Sequence, residues 1–218
     1  MTIDEEPFVP PRRTSAARFA ARTLLAQLRP AIGALIALTL LTGCLFPLVL
    51  FALARGISPD QAAGSLVVRE GAVVGSRLIG QAFTRADYFH PRPSAAGNGY
   101  DASSSGATNY GPSNPKQVDA VRKAAADYRT QNALPGGAEV PVDAVTSSGS
   151  GLDPQISPQN AALQVPRVAR ARRLAEADVR RLVAEHVEDR QFGFMGAPRV
   201  SVLELNLALD RAGPGKAG

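Results

Sequence analysis

The chain of 218 residues contains no tryptophan and a single cysteine, Cys44. One cysteine cannot form an intrachain disulfide, so any domain that the chain builds must be held by packing alone. The only two histidines, His90 and His186, have no second ligand-type residue at the spacing of a metal site. The composition therefore excludes a disulfide-rich scaffold and gives no indication of a zinc centre.

The motifs of self-sufficient enzymes are also missing. The phosphate-binding pattern GxxxxGK[ST] is absent, and no Gly-x-Ser-x-Gly motif stands on a strand-to-helix turn. The Ser- and Gly-rich run 146–151 offers backbone N–H groups for an anion, but a hydroxyl-rich structural loop is the favoured interpretation. An exported hydrolase using Ser148 or His90 is the third class of function considered. The favoured class is a non-catalytic interaction domain.

Charge is sparse too, since the net charge is only +5. Basic residues cluster over 167–181 without interleaved aromatic residues, which argues against a nucleic-acid partner. Gln164, Arg167 and Arg170 lie at i, i+3 and i+6 and are predicted to share a helix face. That face could bind a phosphate or a partner carboxylate, or it could be solvated. Four acidic residues could serve as acids or cation ligands: Asp87, Asp101, Asp143 and Asp153. Each of them lies next to turn residues, where Asp is common for structural reasons.

What the sequence does have is one long uncharged run, Pro30–Ala54, with an arginine at each end. As a helix this run would be roughly 37 Å long, enough to cross a hydrocarbon core of about 30 Å with some tilt. Five arginines precede it, whereas Arg55 and Arg69 after it are matched by Asp60 and Glu70. This bias predicts a cytoplasmic N-terminus and an exported C-terminal part.

Two processing signals compete with an uncleaved anchor. The run 41–44 resembles a lipobox ending at Cys44, but the following residues 45–54 are apolar rather than a polar tether. The run 52–54 fits an A-x-A cleavage site, but the apolar region is longer than the roughly 7–15 residues of a signal peptide. An uncleaved signal-anchor helix is therefore predicted. A free-standing, membrane-anchored ligand-binding or lipoprotein-like module is the alternative function.

The span itself carries features of helix packing. Gly33 and Ala37 form a small-xxx-small pair, and Gly43 adds a third small residue. Pro47 cannot donate to the carbonyl of Gly43, so a kink is predicted. These four residues predict a surface for partner helices, with ordinary lipid-facing composition as the alternative.

The predicted class is α+β, with one N-terminal transmembrane helix followed by one extracytoplasmic helix/strand domain. The predicted organisation is a cytoplasmic tail over 1–28, the span over 29–55, the domain over 56–210 and a disordered tail over 211–218. Residues 65–68 and 72–74 are predicted to form a hairpin. Helices are predicted from Asn114-Pro115, from Ser157-Pro158 to about Arg173 with a bend or break at Pro166, and over 176–189. Strands are predicted over 141–145 and 200–209, the latter because Leu203, Leu205, Leu207 and Leu209 alternate with other residues.

Specific strings then point to a family. They are 75–81 (GSRLIGQ), 89–94 (FHPRPS), 100–102 (YDA), 111–115 (GPSNP), 143–154 (DAVTSSGSGLDP), 166–172 (PRVARAR) and 205–210 (LNLALD). In order and spacing over roughly residues 28–210, the chain resembles the KdpC family, the C subunits of bacterial Kdp potassium-transporting P-type ATPases. Cys44 in the span and Ala197, where the family often has an acidic residue, depart from the pattern.

The resemblance implies a subunit of an inner-membrane complex that hydrolyses ATP to import K⁺. The implied partners are a potassium-binding channel-like subunit, a P-type subunit that is phosphorylated on aspartate, and a small membrane subunit. This chain would be non-catalytic, required for assembly and without a cofactor of its own, while ATP and K⁺ act on the complex. The family's glutamine linked to ATP affinity matches Gln164. Because the charge bias places Gln164 outside the cytoplasm, coupling through the complex is favoured over contact with ATP.

Overall fold

The computed structural model describes the backbone of residues 14–213 and the side chains of residues 24–213. Parts of the two predicted tails, residues 1–13 and 214–218, lie outside the described residues. The chain divides into two compact units, residues 1–62 and 63–218.

The first unit is helical. Helix α1 (Thr14–Leu40) continues through a π-helical turn (Leu41–Leu45) into α2 (Phe46–Ile57), and a single turn, α3 (Pro59–Ala62), follows. Leu24–Ile57 is a 34-residue helical run that is long and apolar enough to cross a membrane, which confirms the predicted transmembrane helix. The helix starts well before the predicted boundary at 29, because residues 14–28 contain neither glycine nor proline and are rich in good helix formers.

The kink predicted at Pro47 stays a prediction, but a π-helical turn directly precedes this part of the helix. The N–H of Phe46 donates to the carbonyl of Leu41, one residue further back than in an α-helix. Pro47 itself lies at the start of α2, where the missing N–H costs least. The helix therefore absorbs the proline by widening one turn rather than by ending.

The second unit begins with the predicted hairpin, β1 (Leu66–Arg69) paired antiparallel with β2 (Ala72–Ser76). Glu70 and Gly71 both have positive φ, 53° and 80°, as the tight turn of a two-residue hairpin requires.

The helices of this unit are α4 (Pro115–Gln131), α5 (Val142–Val145), α6 (Pro158–Arg172), α7 (Glu176–Glu185) and α8 (Val202–Ala212). Three short strands, β3 (Gln155–Ile156), β4 (Val187–Glu188) and β5 (Arg199–Ser201), form an antiparallel sheet with β5 in the middle. The predicted starts of α4 and α6 are confirmed, because Asn114 and Ser157 cap them by accepting the N–H groups of Lys116 and Asn160.

The prediction of a strand over 200–209 is wrong: only Arg199–Ser201 is strand, and the rest is α8. Ser201 caps the helix by accepting the N–H of Glu204, a Ser-x-x-Glu spacing typical of helix starts. The wholly buried residues Val202, Leu205 and Leu209 follow helical rather than alternating spacing.

Three smaller predictions also need correction. Residues 142–145 form the helical turn α5, not a strand. The helix predicted over 176–189 ends at Glu185, because Val187 and Glu188 pair with β5. Pro166 does not break α6, since the carbonyl that it deprives of a donor belongs to Ala162, on the exposed side of the helix.

One hydrophobic core joins α6, α7, α8 and the sheet. Its central members are Val165 and Val168 of α6, Val179 of α7, and Leu205 and Leu209 of α8. Phe89 also lies in this core, although it belongs to a long stretch without regular structure. The packing therefore places an irregular segment, rather than a strand or helix, against α6 and α8.

Candidate functional site

The central feature of the domain is the segment Arg85–His90, called here the clamped segment. It has no regular secondary structure, yet each of its six consecutive carbonyl oxygens accepts a hydrogen bond from a side chain. Buried backbone groups that lack a ladder partner must find another partner. In this segment the partners are amide and guanidinium groups on α6 and α8, together with the ring of His90.

Two amides hold two successive residues of the clamped segment in the same way. Asn206 accepts the N–H of Phe89 at 2.8 Å and donates to its carbonyl at 3.0 Å. Gln164 accepts the N–H of His90 at 2.7 Å and donates to its carbonyl at 3.1 Å. Each amide thus replaces the pair of bonds that a neighbouring strand would supply.

Gln164, the residue linked to ATP affinity by resemblance, is 1% exposed. Besides its two bonds to His90, it donates to Asn160 at 2.9 Å and accepts from Arg167 at 2.7 Å. An amide has two donor hydrogens and two acceptor lone pairs, so all four are in use. The geometry assigns Gln164 to holding the clamped segment rather than to offering free polar groups to a ligand.

The predicted shared face of Gln164, Arg167 and Arg170 is only partly solvated. Arg167 is buried and donates to the carbonyls of Ala86 and Tyr88 at 2.6 and 2.9 Å, whereas Arg170 is exposed. Burial lowers the pKa of Arg167 to about 10, so the guanidinium remains charged at neutral pH. The guanidinium of Arg167 therefore donates its hydrogen bonds to groups inside the domain, and the geometry does not favour a phosphate or a partner carboxylate as its ligand.

Arg172, like Asn206 and Asp210, is a residue of the site that sequence reasoning missed. Its side chain is 1% exposed, pairs with Asp210 at 2.9 Å and donates to the carbonyl of Asp87 at 2.6 Å. Arg172 also lies 4.7 Å from the ring centroid of Tyr88. In the sequence, an arginine in the last turn of a basic helix is expected to be an ordinary surface charge. Only its contacts with Asp210 and Asp87, which are distant in sequence, show its role.

Asp210 collects three donors: Arg172, Arg69 at 2.8 Å and the hydroxyl of Tyr88 at 3.0 Å. Desolvation alone would raise the pKa of Asp210, but the hydrogen bonds from Arg172, Arg69 and Tyr88 outweigh it and lower that pKa. The carboxylate is therefore ionised in the folded domain and ties the hairpin strand β1 and the clamped segment to α8.

The other acidic candidates are also occupied. Asp143 accepts the N–H and hydroxyl of Ser157 and the side-chain amide of Asn160, so α5 is joined to the start of α6. Asp153 pairs with Arg92, Asp87 with Arg85, and Asp101 accepts from Ser103. Among residues 24–213, no group of His, Cys, Asp and Glu side chains could hold a metal ion.

The Ser- and Gly-rich run packs against another loop. The carbonyl of Gly151 accepts the hydroxyl of Ser94 at 2.6 Å, and the carbonyl of Ser150 accepts the N–H of Gly106 at 2.9 Å. Gly151 has φ +68°, and a Cβ there would lie 2.6 Å from the backbone nitrogen of Ala96. These contacts favour the structural interpretation of the loop over an anion cradle.

A cleft of about 330 Å³ lies beside the clamped segment and is lined by residues that include His90, Arg92, Tyr128 and Gln164. The ring of His90 donates from Nε2 to the carbonyl of Arg85 at 2.9 Å, and burial followed by the charge of Arg167 lowers its pKa. Tyr128 donates to Asn160, and burial raises its pKa. These four side chains of the cleft are thus hydrogen-bonded within the domain itself.

The four positions predicted for helix packing fall into two pairs. At about 100° per residue, Gly33 and Ala37 lie on one face of the helix, while Gly43 lies more than about 120° away from Ala37. Gly43 and Pro47 share a second face, beside the π-helical turn. Among residues 24–213, no other side chain lies within 4 Å of a Cβ built on Gly33 or on Gly43. Both faces are free for contacts with other helices, and packing there stays a prediction.

Comparison with known proteins gives one consistent result. Residues 28–211 match the family model described as K⁺-transporting ATPase, c chain. A potassium-transporting ATPase KdpC subunit of Mycobacterium tuberculosis (strain H37Rv) is 52% identical over 185 residues, 85% of this chain and 98% of the relative. Proteins of the same description are 52% identical in Beijerinckia indica (88% of this chain, 96% of the relative) and 53% identical in Cereibacter sphaeroides strain KD131 (87% and 100%).

Proposed function

The chain belongs to the KdpC family of K⁺-transporting ATPase c chains, and we propose that it anchors in the membrane and stabilises the assembly of its pump. It is a subunit of a potassium-transport complex and an accessory one, because the catalytic centre lies elsewhere in the complex. The partners that we propose are the channel-like potassium-binding subunit, the P-type subunit and the small membrane subunit.

The observation that carries this proposal is the apolar helical run Leu24–Ile57, in which every residue is exposed as far as the described part of the chain shows. A helix of this length finds its environment in a bilayer and against other membrane helices. Small residues at Gly33, Ala37 and Gly43 allow close approach of a partner backbone. The span thus suits a subunit whose contacts with its partners begin inside the membrane.

The domain gives a second reason to propose that the chain stabilises the assembly of the pump. Among its described residues, no buried side-chain nitrogen or oxygen lacks a hydrogen-bond partner. A domain whose buried polar groups are satisfied internally presents a defined surface to a partner, because its irregular segments are fixed in one arrangement. We propose that this surface covers the extracytoplasmic entrance of the channel-like subunit.

An effect of Gln164 on the ATP affinity of the pump would then be indirect. The four bonds of Gln164 hold the clamped segment, so a change at Gln164 alters that segment and any subunit resting on it. We expect Gln164→Leu to shift the ATP concentration for half-maximal ATPase activity of the whole complex. The isolated chain is expected to bind no ATP, and saturable ATP binding by that chain would contradict indirect coupling.

The assembly proposal is tested by co-purification from membranes of cells that make all the pump subunits. Three tagged forms are compared: the full chain, a form without residues 30–54, and a form whose span is replaced by an unrelated polyleucine helix. We expect only the full chain to retain the pump subunits fully. Recovery of those subunits with the form that lacks residues 30–54 would refute anchoring as the basis of assembly.

Orientation needs a separate test, which the single native cysteine makes simple. In a Cys44→Ala background, Glu70→Cys places a thiol at a position whose side chain is 86% exposed, and Thr2→Cys provides the N-terminal reference. A membrane-impermeant maleimide is expected to label the Glu70 variant in intact spheroplasts and the Thr2 variant only after lysis. The reverse pattern would place the domain in the cytoplasm and overturn the proposal.

A further inference from the structure

Between β4 and β5 the chain forms a projecting turn closed by Gln191 and Met195, whose backbones exchange hydrogen bonds of 3.0 and 2.9 Å. Three large apolar side chains stand on it in solvent: Phe192 is 86% exposed, Phe194 73% and Met195 49%. These three residues are called here the aromatic tip. An apolar cluster of this kind on a soluble domain marks a contact surface.

The backbone of the tip is unusual for the residues it carries. Phe192 has φ +53°, in the left-handed region that bulky side chains rarely adopt. Gly193 and Gly196 have φ near +79° and +78° and complete the turn. A glycine or asparagine would adopt this positive φ at position 192 more easily than a phenylalanine does. The exposed phenylalanine is therefore present although the backbone conformation disfavours it. Such a departure points to a role in recognition.

The size of the tip limits what it can contact. A phenylalanine side chain can bury about 150–250 Å², so the tip offers a few hundred Å², below the roughly 800 Å² per partner of a stable independent interface. A free soluble protein or a second copy of this chain is therefore a poor match. A partner that the membrane span already holds close by is a good match, because tethering raises the effective concentration.

The charges around the tip separate a lipid surface from a protein. Glu188 and Asp189 are balanced by Arg190 and Arg199, and Arg199 pairs with Glu188 at 3.0 Å. A loop that binds anionic lipid typically has an excess of Lys or Arg beside its apolar residues. Phenylalanine and methionine also lack the polar end that suits tyrosine and tryptophan to the headgroup region. The aromatic tip is neutral and preorganised, so it fits an apolar pocket on a protein better than a lipid surface.

We propose that the aromatic tip inserts into an apolar pocket on the extracytoplasmic face of an integral-membrane subunit of the same pump. This inference rests on the proposed function, because that subunit must already be held near the chain. The two phenylalanines act as anchors of the contact, as large side chains in desolvated pockets commonly do.

The test places the photocrosslinking residue p-benzoylphenylalanine at position 192 or 194 of the full chain, in membranes containing all pump subunits. The matched control position is Val142, an apolar residue that is 73% exposed elsewhere on the domain. We expect irradiation to join positions 192 and 194, but not 142, to a pump subunit that mass spectrometry identifies. Crosslinks to lipid alone, to a second copy of this chain or to nothing would overturn the proposal.

A second measurement uses Phe192→Ser combined with Phe194→Ser. We expect at least a fivefold loss of pump subunits during detergent washes relative to Val142→Ser, with an unchanged near-ultraviolet tyrosine signal showing that the domain is folded. Retention equal to that of the control would refute the role of the tip. If the unsubstituted full chain also fails to retain the pump, the proposed function fails and the inference fails with it. If only the tip results fail, the proposed function stands.

Discussion

Replacing Gln164 by leucine tests the clamped segment most sharply, because it removes four hydrogen bonds with little change in volume. The N–H and carbonyl of His90 lose the partners that they have at 2.7 and 3.1 Å, and Arg167 loses one acceptor at 2.7 Å. Asn160 keeps the hydroxyl of Tyr128 as a donor at 2.8 Å. Three buried or partly buried groups are therefore left without a bond that they had.

Leaving a buried polar group unpaired costs about 1–3 kcal/mol, and the added apolar surface of leucine offsets part of this cost. We expect Gln164→Leu to lower the free energy of unfolding by roughly 3–5 kcal/mol, a large part of the 5–15 kcal/mol typical of a domain. The control, Gln81→Leu, removes one exposed bond to the carbonyl of Val74 at 3.0 Å, and its cost should stay below about 1 kcal/mol.

The chain offers a clean signal for this measurement. It has no tryptophan, and its four tyrosines all lie between residues 88 and 128, in the second unit. Tyrosine fluorescence of the full chain in detergent, followed during urea unfolding, therefore reports on the domain and not on the span. If Gln164→Leu loses no more stability than Gln81→Leu, Gln164 is not a structural clamp.

Three further predictions use the same measurement. Arg172→Met removes one of the two arginines that pair with Asp210, while Arg69 remains, and should lower the free energy of unfolding by about 2–4 kcal/mol; Asp210→Leu should cost less in the Arg172→Met chain than in the native chain, and equal costs would contradict a coupled pair. The lowered pKa of His90 means that the unfolded chain binds more protons below its ordinary pKa of about 6.5, so stability should fall as pH drops below that value. His90→Gln should remove that part of the slope, and an unchanged slope would exclude His90 as its source. Gly151→Ala should cost more than about 2 kcal/mol because of its φ of +68° and the close backbone, whereas Gly149→Ala, with open space around it, should be nearly neutral; equal costs would refute the close approach.

The parts of the fold that the sequence predicted correctly depend on neighbours in the chain. Asn114 and Ser157 cap their helices through N–H groups two and three residues away, so the signal is local. The hairpin turn at Glu70 and Gly71 and the uncharged run of the span are equally local.

The error over 200–209 arose from a pattern that fits two structures. Leucines at every second position satisfy the period of a strand, but Leu205 and Leu209 are also one helical turn apart. The signal that separates the two is the spacing of Ser201 and Glu204, which is that of a helix cap and which the alternation does not take into account. Short apolar runs are ambiguous in this way unless capping residues are weighed first.

The candidate site could not be derived from sequence spacing alone. Gln164 contacts His90 across 74 positions, and Asn206 contacts Phe89 across 117. Resemblance identified Gln164, and helical spacing placed Arg167 beside it, but neither indicated that both are buried against the clamped segment. Arg172 carried no signal, because a buried arginine and a surface arginine look the same in a sequence.

The most direct test of the account measures potassium uptake at limiting external K⁺ in cells that make the other pump subunits, with and without this chain. We predict ATP-dependent uptake only when the full chain is present, because we propose that the pump does not assemble stably without it. Equal uptake in its absence would contradict the claim that this chain is a required subunit.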